Sequence, residues 1–253
     1  MKKLLSIITV VKNDVHNIEK TIKSIISQKN KLVEYIIIDG QSTDGTVQKI
    51  KKYKKKIDKI LIQKDKGIYD AMNKGIKNSK GIFIGFCNSG DIIYKNGINI
   101  LLNKLSDKTD VVFATVKRNY LGKTIIKSGY NLNRLNYNFD FATSHSTGFY
   151  IKKNLHNKFG LYDTNFKCSS DYDFYLRVLK NNNLNIEKTK KNKIIGIVKS
   201  GGFSSTFSPF QHLNEETKIR IKNKQNKLFI FLIYINASIK IFIKKILPKK
   251  TKI

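Results

Sequence analysis

Four short runs of aliphatic and β-branched residues, each separated from the next by a stretch with helical spacing, constrain this chain more than any other feature. The runs are 4–11 (LLSIITVV), 35–38 (YIII), 59–63 (KILIQ) and 81–86 (GIFIGF). Near-continuous apolar runs of this length suit strands covered on both faces. In KNDVHNIEKTIKSIISQ, Ile18, Ile22, Ile25 and Ile26 recur at helical spacing, with Asn13 or Asp14 placed to cap the helix. TVQKIKKYKKK predicts an exposed helix and GIYDAMNKGIKNSK a further one. Strands alternating with helices imply parallel β-α-β units with right-handed crossovers. The expected fold is α/β, a Rossmann-like, mostly parallel sheet flanked by helices. At 253 residues, 40% of them hydrophobic, the chain can fill one large core and carry an appendage.

In such sheets ligands gather beyond the carboxyl ends of the strands. Three polar clusters fall there: Thr9–Asp14, which holds Val11; Asp39–Asp44, which holds Ser42; and Asn88–Asp91. The last lies in GFCNSGDII, 85–93, and by itself reads as a turn, because Asn, Ser, Gly and Asp are turn formers. The convergence of three strand ends that carry carboxylates points instead to one polar ligand. No GxGxxG follows the first strand and no GxxxxGK[ST] is present, so neither an ordinary dinucleotide site nor a P-loop is expected.

The formal charge is +31, from 49 basic and 18 acidic residues. Only four of the basic residues are arginine, at 118, 134, 177 and 220. Nucleic-acid interfaces favour arginine for bidentate contacts, so no nucleic-acid partner is expected. The excess of Lys, Asn and Ile reads as compositional bias. Cys87 and Cys168 form no metal-like pair, which favours a reducing compartment over a disulfide framework. The amino terminus reads as a strand and not as a signal peptide.

The second half is less regular. DVVFATVKRNYLGKTIIKS predicts two antiparallel strands joined through Leu121, Gly122 and Lys123. SHSTGFYIKK and KIIGIVKS predict further strands, GGFSS a flexible turn. SSDYDFYLRVLKNN predicts a helix capped by Ser169 or Ser170, with Phe174, Val178 and Leu179 turned inward. The expected division is a domain over 1–210, with halves 1–105 and 106–210, and a basic helical tail over 211–253. Within that tail LFIFLIYINASIKIFIKKIL is either a helix docked on the domain or an interfacial one with lysines toward anionic headgroups.

Taken in series, SIITVVKND, IIIDGQSTDGT, DKGIYDAMNKGIKNSKGIFIGFCNSGD and SDYDFYLR resemble the family 2 glycosyltransferases of GT-A fold over about residues 4–180. The branch resembled builds capsule, O-antigen or exopolysaccharide and carries Asn-x-Gly-Asp. The resemblance implies an inverting transfer of a hexosyl or N-acetylhexosaminyl group from a nucleotide sugar, UDP-linked by expectation, to a hydroxyl of a lipid-linked or growing oligosaccharide; the altered metal motif leaves as the alternative a catalytically degenerate protein that binds nucleotide sugar or membrane. The expected location is cytoplasmic, peripheral on the inner face of the membrane, with 228–247 against an anionic surface if the tail is the interfacial helix and not the docked one.

The resemblance also implies residue roles. Thr9 stands where the family contacts the nucleotide and Asp39 where it holds the base; Asp70 and Lys74 stand near the donor. Asn88, Ser89, Gly90 and Asp91 replace the metal-binding Asp-x-Asp. Gly90 takes a position where a carboxylate often stands, so Asp91 is expected to hold the divalent cation, Mn²⁺ or Mg²⁺, unless the diphosphate supplies most of its coordination or the metal is absent. Asp171 stands at the catalytic base, with Asp173 the alternative. The usual Glu before the base is Ser170, which by itself would lower the base's pKa. His145 stands where the branch often has histidine, to bind phosphate or acceptor, or to sit buried and hydrogen-bonded.

Overall fold

The computed structural model describes residues 3–120, 123–137, 141–143, 146–180 and 183–246. The first half follows the expected alternation: β1 (Leu5–Val11), α1 (Ile18–Ile26), β2 (Val33–Asp39), α2 (Thr46–Lys52), β3 (Lys59–Ile62), α3 (Ile68–Asn78) and β4 (Phe83–Phe86). These four strands are mutually parallel, in the order β4-β1-β2-β3. Burial on both faces is what the continuous apolar runs required. In β1, Leu5, Ile7 and Val11 join one core and Ile8 and Val10 the other; β2 splits Tyr35 and Ile37 from Ile36 and Ile38 in the same way. Helix α1 covers one face with Ile18, Ile22 and Ile25, and α3 covers the other with Met72 and Ile76.

The helix after β1 starts later than the sequence suggests. Its N-cap is Asn17, without a side-chain cap bond. Asn13 and Asp14 are spent in the loop before it, where Asn13 has φ 49°.

After β4 come β5 (Ile92–Ile93), α4 (Gly97–Leu102), β6 (Val111–Phe113), β7 (Thr115–Tyr120), β8 (Lys123–Lys127), β9 (Phe149–Lys152), α5 (Lys153–Phe159), α6 (Ser170–Leu179), β10 (Ile186–Lys188) and β11 (Ile194–Val198). The seven-stranded main sheet runs β10-β6-β9-β4-β1-β2-β3, with β9 antiparallel to both neighbours. A second sheet runs β5-β11-β7-β8. The expected pair β7 and β8 is antiparallel, while Leu121 and Gly122 lie outside the described residues. What read as one strand before it is two, β6 and β7, which break at Ala114 to enter different sheets.

Two helices close the chain: α7 (Pro209–Lys222) and α8 (Lys227–Ile246). Helix α7 opens with a capping box between Ser208 and Gln211 and Pro at its start. Ile219 of α7 joins the main core, and Arg220 is buried at 1% exposure, donating to the carbonyls of Asn136 and Tyr137. The chain is therefore continuous with the core through α7. Helix α8 touches the body by a narrow edge, through buried Ile230, Phe229 against Tyr137, and Tyr234 bonded to Asn214. Its other side exposes Leu228, Phe231, Leu232, Ile235, Ile239 and Phe242, continuing to Ile246. No helix among the described residues is long and apolar enough to cross a membrane.

The join between parallel and antiparallel parts depends on Gly85 of β4. It pairs with Tyr150 of β9, and a Cβ at 85 would lie 2.2 Å from the Tyr150 ring. The ring covers the bare backbone and is held by its hydroxyl on the Thr147 carbonyl at 2.9 Å. Gly85→Ala is expected to destabilise by about 1–3 kcal/mol through overpacking. Urea unfolding checks it, and a midpoint equal to that of the parent would refute the close-packed seam.

Candidate active site

Strand order reverses between β1 and β4: the chain builds β2 and β3 to one side of β1, then returns to place β4 on the other. Such a switch point opens a crevice at the carboxyl ends of the two strands. All three polar clusters of the sequence meet there. Asn13 N–H donates to Ser42 Oγ at 2.8 Å, and Thr43 N–H to Asn13 Oδ1 at 2.9 Å. Val15 N–H donates to Asp44 Oδ2 at 3.0 Å. Ser89 Oγ donates to Asp14 Oδ2 at 2.7 Å, which ties the end of β4 to the end of β1. A hollow of about 370 Å³ lined by Lys3, Ile26, Lys29, Asn30, Lys31 and Lys56 lies at the amino ends of β1 and β2, the wrong end for a ligand.

Asn88–Asp91 is a turn at the mouth of this crevice. Asp91 N–H donates to the Asn88 carbonyl at 2.9 Å, and Gly90 has φ 93°, as position three of a type II turn needs. Thr21 of α1 clamps it: Gly90 N–H donates to Thr21 Oγ1 at 2.9 Å, and Thr21 Oγ1 donates to the Asp91 carbonyl at 2.8 Å. Asn88 Oδ1 is buried without a protein partner, an acceptor for a donor supplied from outside.

Several expected roles change. Asp91 is 4% exposed and accepts from Ser146 Oγ at 2.5 Å, Thr147 Oγ1 at 3.0 Å and Lys199 N–H at 2.9 Å. Burial raises its pKa. Its carboxylate is committed to the protein and does not face a ligand. Thr9 is fully buried, donating to the Cys87 carbonyl at 2.7 Å and sharing a hydrogen bond with Tyr35 Oη, so its hydroxyl is turned from the crevice. Val11 gives its side chain to the core and its carbonyl to Gly40 N–H. Asp39 is buried, accepting Ser42 N–H at 2.8 Å and Ser42 Oγ at 2.7 Å, which orders the loop after β2. Asp70 accepts Lys66 N–H at 2.9 Å and pairs with Lys74 at 3.0 Å; the two side chains organise the start of α3. His145 lies outside the described residues.

The carboxylate expected as the base is carried by α6. Asp171, half-buried in its first turn, accepts from Tyr69 Oη at 3.0 Å, so α3 and α6 meet at this carboxylate. Its pKa is pushed up to about 7, chiefly by burial and further by the charge of Glu216 on α7, against lowering hydrogen bonds from Tyr69 and the Tyr172 N–H. The lowering expected from Ser170 is outweighed. Asp173 points elsewhere: it is fully buried and bonded to Arg177 at 2.8 Å, Lys222 at 3.2 Å and Asn223 at 3.0 Å. That makes it a joint between α6 and α7 and removes it as the alternative base. Ser169 occupies the N-cap position but makes no side-chain cap bond. Glu215 of α7 instead holds the turn that leads into the helix, accepting the N–H groups of Lys167 at 2.6 Å, Cys168 at 2.8 Å and Ser169 at 3.0 Å, while Tyr172 N–H in the first turn donates to Asp171 Oδ1 at 3.0 Å.

Sequence reasoning missed Tyr69, Glu215 and Lys199. Tyr69 could have been suspected beside Asp70 in the first turn of its helix. Glu215 and Lys199 act across distances in sequence that no local pattern marks.

The implied divalent cation can be tested against the donors. Among the described residues no three Asp, Glu, His or Cys side chains gather to hold a metal. Asp91 is already hydrogen-bonded through both oxygens. Mg²⁺ at a phosphate site takes most of its ligands from water and phosphate but still uses one or two protein carboxylates, and the one carboxylate of the turn, Asp91, is buried and committed to the protein.

Residues 6–166 match the family described as Glycosyl transferase family 2. An uncharacterized glycosyltransferase of Rickettsia typhi is 29% identical over 188 residues, 70% of this chain and 59% of that protein, so the chain spans less than two thirds of that relative. Among solved structures, S. aureus TarS 1-349 in complex with UDP-GlcNAc superposes with TM-score 0.72 at 19% identity, over 99% of this chain and 76% of that one. The mannosyltransferase PcManGT of Pyrobaculum calidifontis, in complex with GDP-Man and Mn²⁺, superposes with TM-score 0.65 at 14% identity, over 95% and 70%. These likenesses establish the GT-A fold.

The raised pKa of Asp171 has a sign that stability reads directly. The folded state holds the proton to about pH 7 while the unfolded chain releases it near 3.8, the ordinary value for an aspartate. This group's contribution to stability is therefore greatest at low pH, falls as pH rises between those values, and is flat above the folded pKa. Asp171→Asn is expected to gain stability relative to the parent at pH 8 and to lose that gain near pH 4. Paired thermal melts at the two pH values measure it; an equal difference at both would show that burial does not hold the proton.

Proposed function

The chain belongs to glycosyl transferase family 2, and on that premise we propose that it transfers a sugar from a nucleotide-sugar donor to an acceptor hydroxyl with inversion at the anomeric carbon. The observation that carries the reading is Asp171. It is a half-buried carboxylate with pKa about 7, fixed between α3 and α6. Above that pH Asp171 is the base. It takes the proton from the acceptor hydroxyl as that oxygen bonds to the anomeric carbon and the bond to the diphosphate oxygen breaks. The nucleoside diphosphate leaves on the opposite side. Tyr69 steadies the carboxylate, and Glu215 fixes the helix start that carries it. The crevice between β1 and β4 takes the donor, with Asn88 Oδ1 free to accept from it.

The acceptor we propose is a lipid-linked or growing surface oligosaccharide, met at an anionic membrane surface through α8. Support comes from its exposed stripe, which recurs at helical spacing from Leu228 to Ile246, and from exposed Lys227, Lys240 and Lys244. A stripe of this kind lies in the interface with its lysines reaching the headgroups. The +31 charge adds long-range attraction to such a surface.

Asp171→Asn is expected to bind UDP as the parent does and to lose turnover by roughly 10²–10⁴-fold, the usual contribution of a general base. Donor hydrolysis and transfer assays across pH 5–9 should show the parent's rising limb near pH 7. Full activity in the variant would reject Asp171 as base. Phe231→Asp with Phe242→Asp is expected to release the protein from phosphatidylglycerol vesicles in co-sedimentation while nucleotide binding is kept. Retained vesicle binding, or loss of a dimer instead, would assign the stripe to another partner.

A further inference from the structure

Lys199 follows β11 and lies where a cation was expected. Its backbone N–H donates to Asp91 Oδ1 at 2.9 Å, so the carboxylate that anchors the turn also anchors this residue. Its side chain then crosses Gly90. A Cβ built on Gly90 would lie 2.4 Å from Lys199 Cδ and 3.5 Å from Cε, so the bare glycine is what lets the stem lie there. Its Nζ ends 4.0 Å from Asp14 Oδ1, in the loop after β1. The ammonium thus spans the mouth of the crevice between β1 and β4. At that distance it makes no hydrogen bond to Asp14, and its side chain is 40% exposed. Asp14 is meanwhile engaged by Ser89 at 2.7 Å.

We infer that Lys199 binds the diphosphate of the donor and supplies there the positive charge that a divalent cation supplies in metal-dependent relatives; this rests on the donor reading above. The described donors around the turn fit an ammonium better than a metal. Asp91 has no oxygen to offer, Gly90 has no side chain, and Asn88 offers one neutral oxygen. A lysine carries a compact charge with three donors and needs only room to approach. As the sugar bond breaks, negative charge grows on the departing phosphate oxygen. A fixed cation beside it stabilises that charge more than the ground state. Asp91 acts as a positioning residue, because it fixes the backbone from which the lysine reaches.

The test is titration calorimetry of the full chain with UDP and GDP, in EDTA and in Mn²⁺. The parent is expected to bind its preferred nucleotide equally in both. Lys199→Met keeps the stem and the backbone N–H and removes the charge. It should weaken nucleoside diphosphate binding by roughly ten- to hundredfold, the range of a charge-assisted hydrogen bond, while the bare nucleoside binds as before. Lys199→Arg should retain most of the affinity. Parent binding that vanishes in EDTA and returns with Mn²⁺ overturns the inference and leaves the donor reading standing, an arm that needs no variant to fold. Undiminished binding by a folded Lys199→Met overturns it as well. No nucleotide bound under either condition sinks the donor reading and the inference with it.

Discussion

The buried carboxylate of Asp91 holds the two sheets and the crevice in one arrangement. Its two oxygens receive Ser146 and Thr147, just ahead of β9, and the backbone of Lys199, at the end of β11, while its carbonyl receives Thr21 of α1. Three segments distant in sequence therefore converge on one residue. A carboxylate taken from water is costly unless its lone pairs are met. The loop ahead of β9, the end of β11 and the turn after β4 are thereby held in one register. The same commitment removes Asp91 from ligand chemistry.

A second joint sits at the start of α6. Glu215 reaches over from α7 and accepts three successive backbone N–H groups, of Lys167, Cys168 and Ser169, which fixes the turn that leads into the helix. Asp173 closes the joint from the other side through Arg177 and Lys222. Between these tied points Asp171 is left half-buried, with Tyr69 as its side-chain hydrogen-bond donor. Two neighbouring acidic residues of one motif thus have opposite fates. One is fully paired and structural; the other is desolvated, and its pKa rises into the range of general-base work. The second half of the chain fixes where this one carboxylate stands relative to α3 of the first half.

The fold was legible in LLSIITVV, YIII, KILIQ and GIFIGF because burial on both faces leaves its mark on every residue of a strand. The periods of α1, α3 and α6 were legible for the same reason: a packed face must repeat at helical spacing. The meeting of the three polar clusters was legible too, since strand-end positions follow from the parallel topology. Ala114, where one apparent strand becomes two, was not, because the choice between two sheets depends on partners far along the chain.

The sequence by itself thus determined the alternating α/β architecture, the strand ends where the polar clusters gather, and Asp171 at the head of its helix. All of these are local patterns repeated over a few residues. Only the tertiary structure decided what each polar group does. Thr9, Asp39, Asp91 and Asp173 were read as ligand-facing from their positions, yet each is satisfied inside the protein. Lys199, one lysine among many, was brought to the crevice by a hydrogen bond that spans 108 residues. Whether a polar side chain serves a ligand or the fold depends on which donors and acceptors come within about 3 Å of it, and that is set by chain segments no local pattern relates.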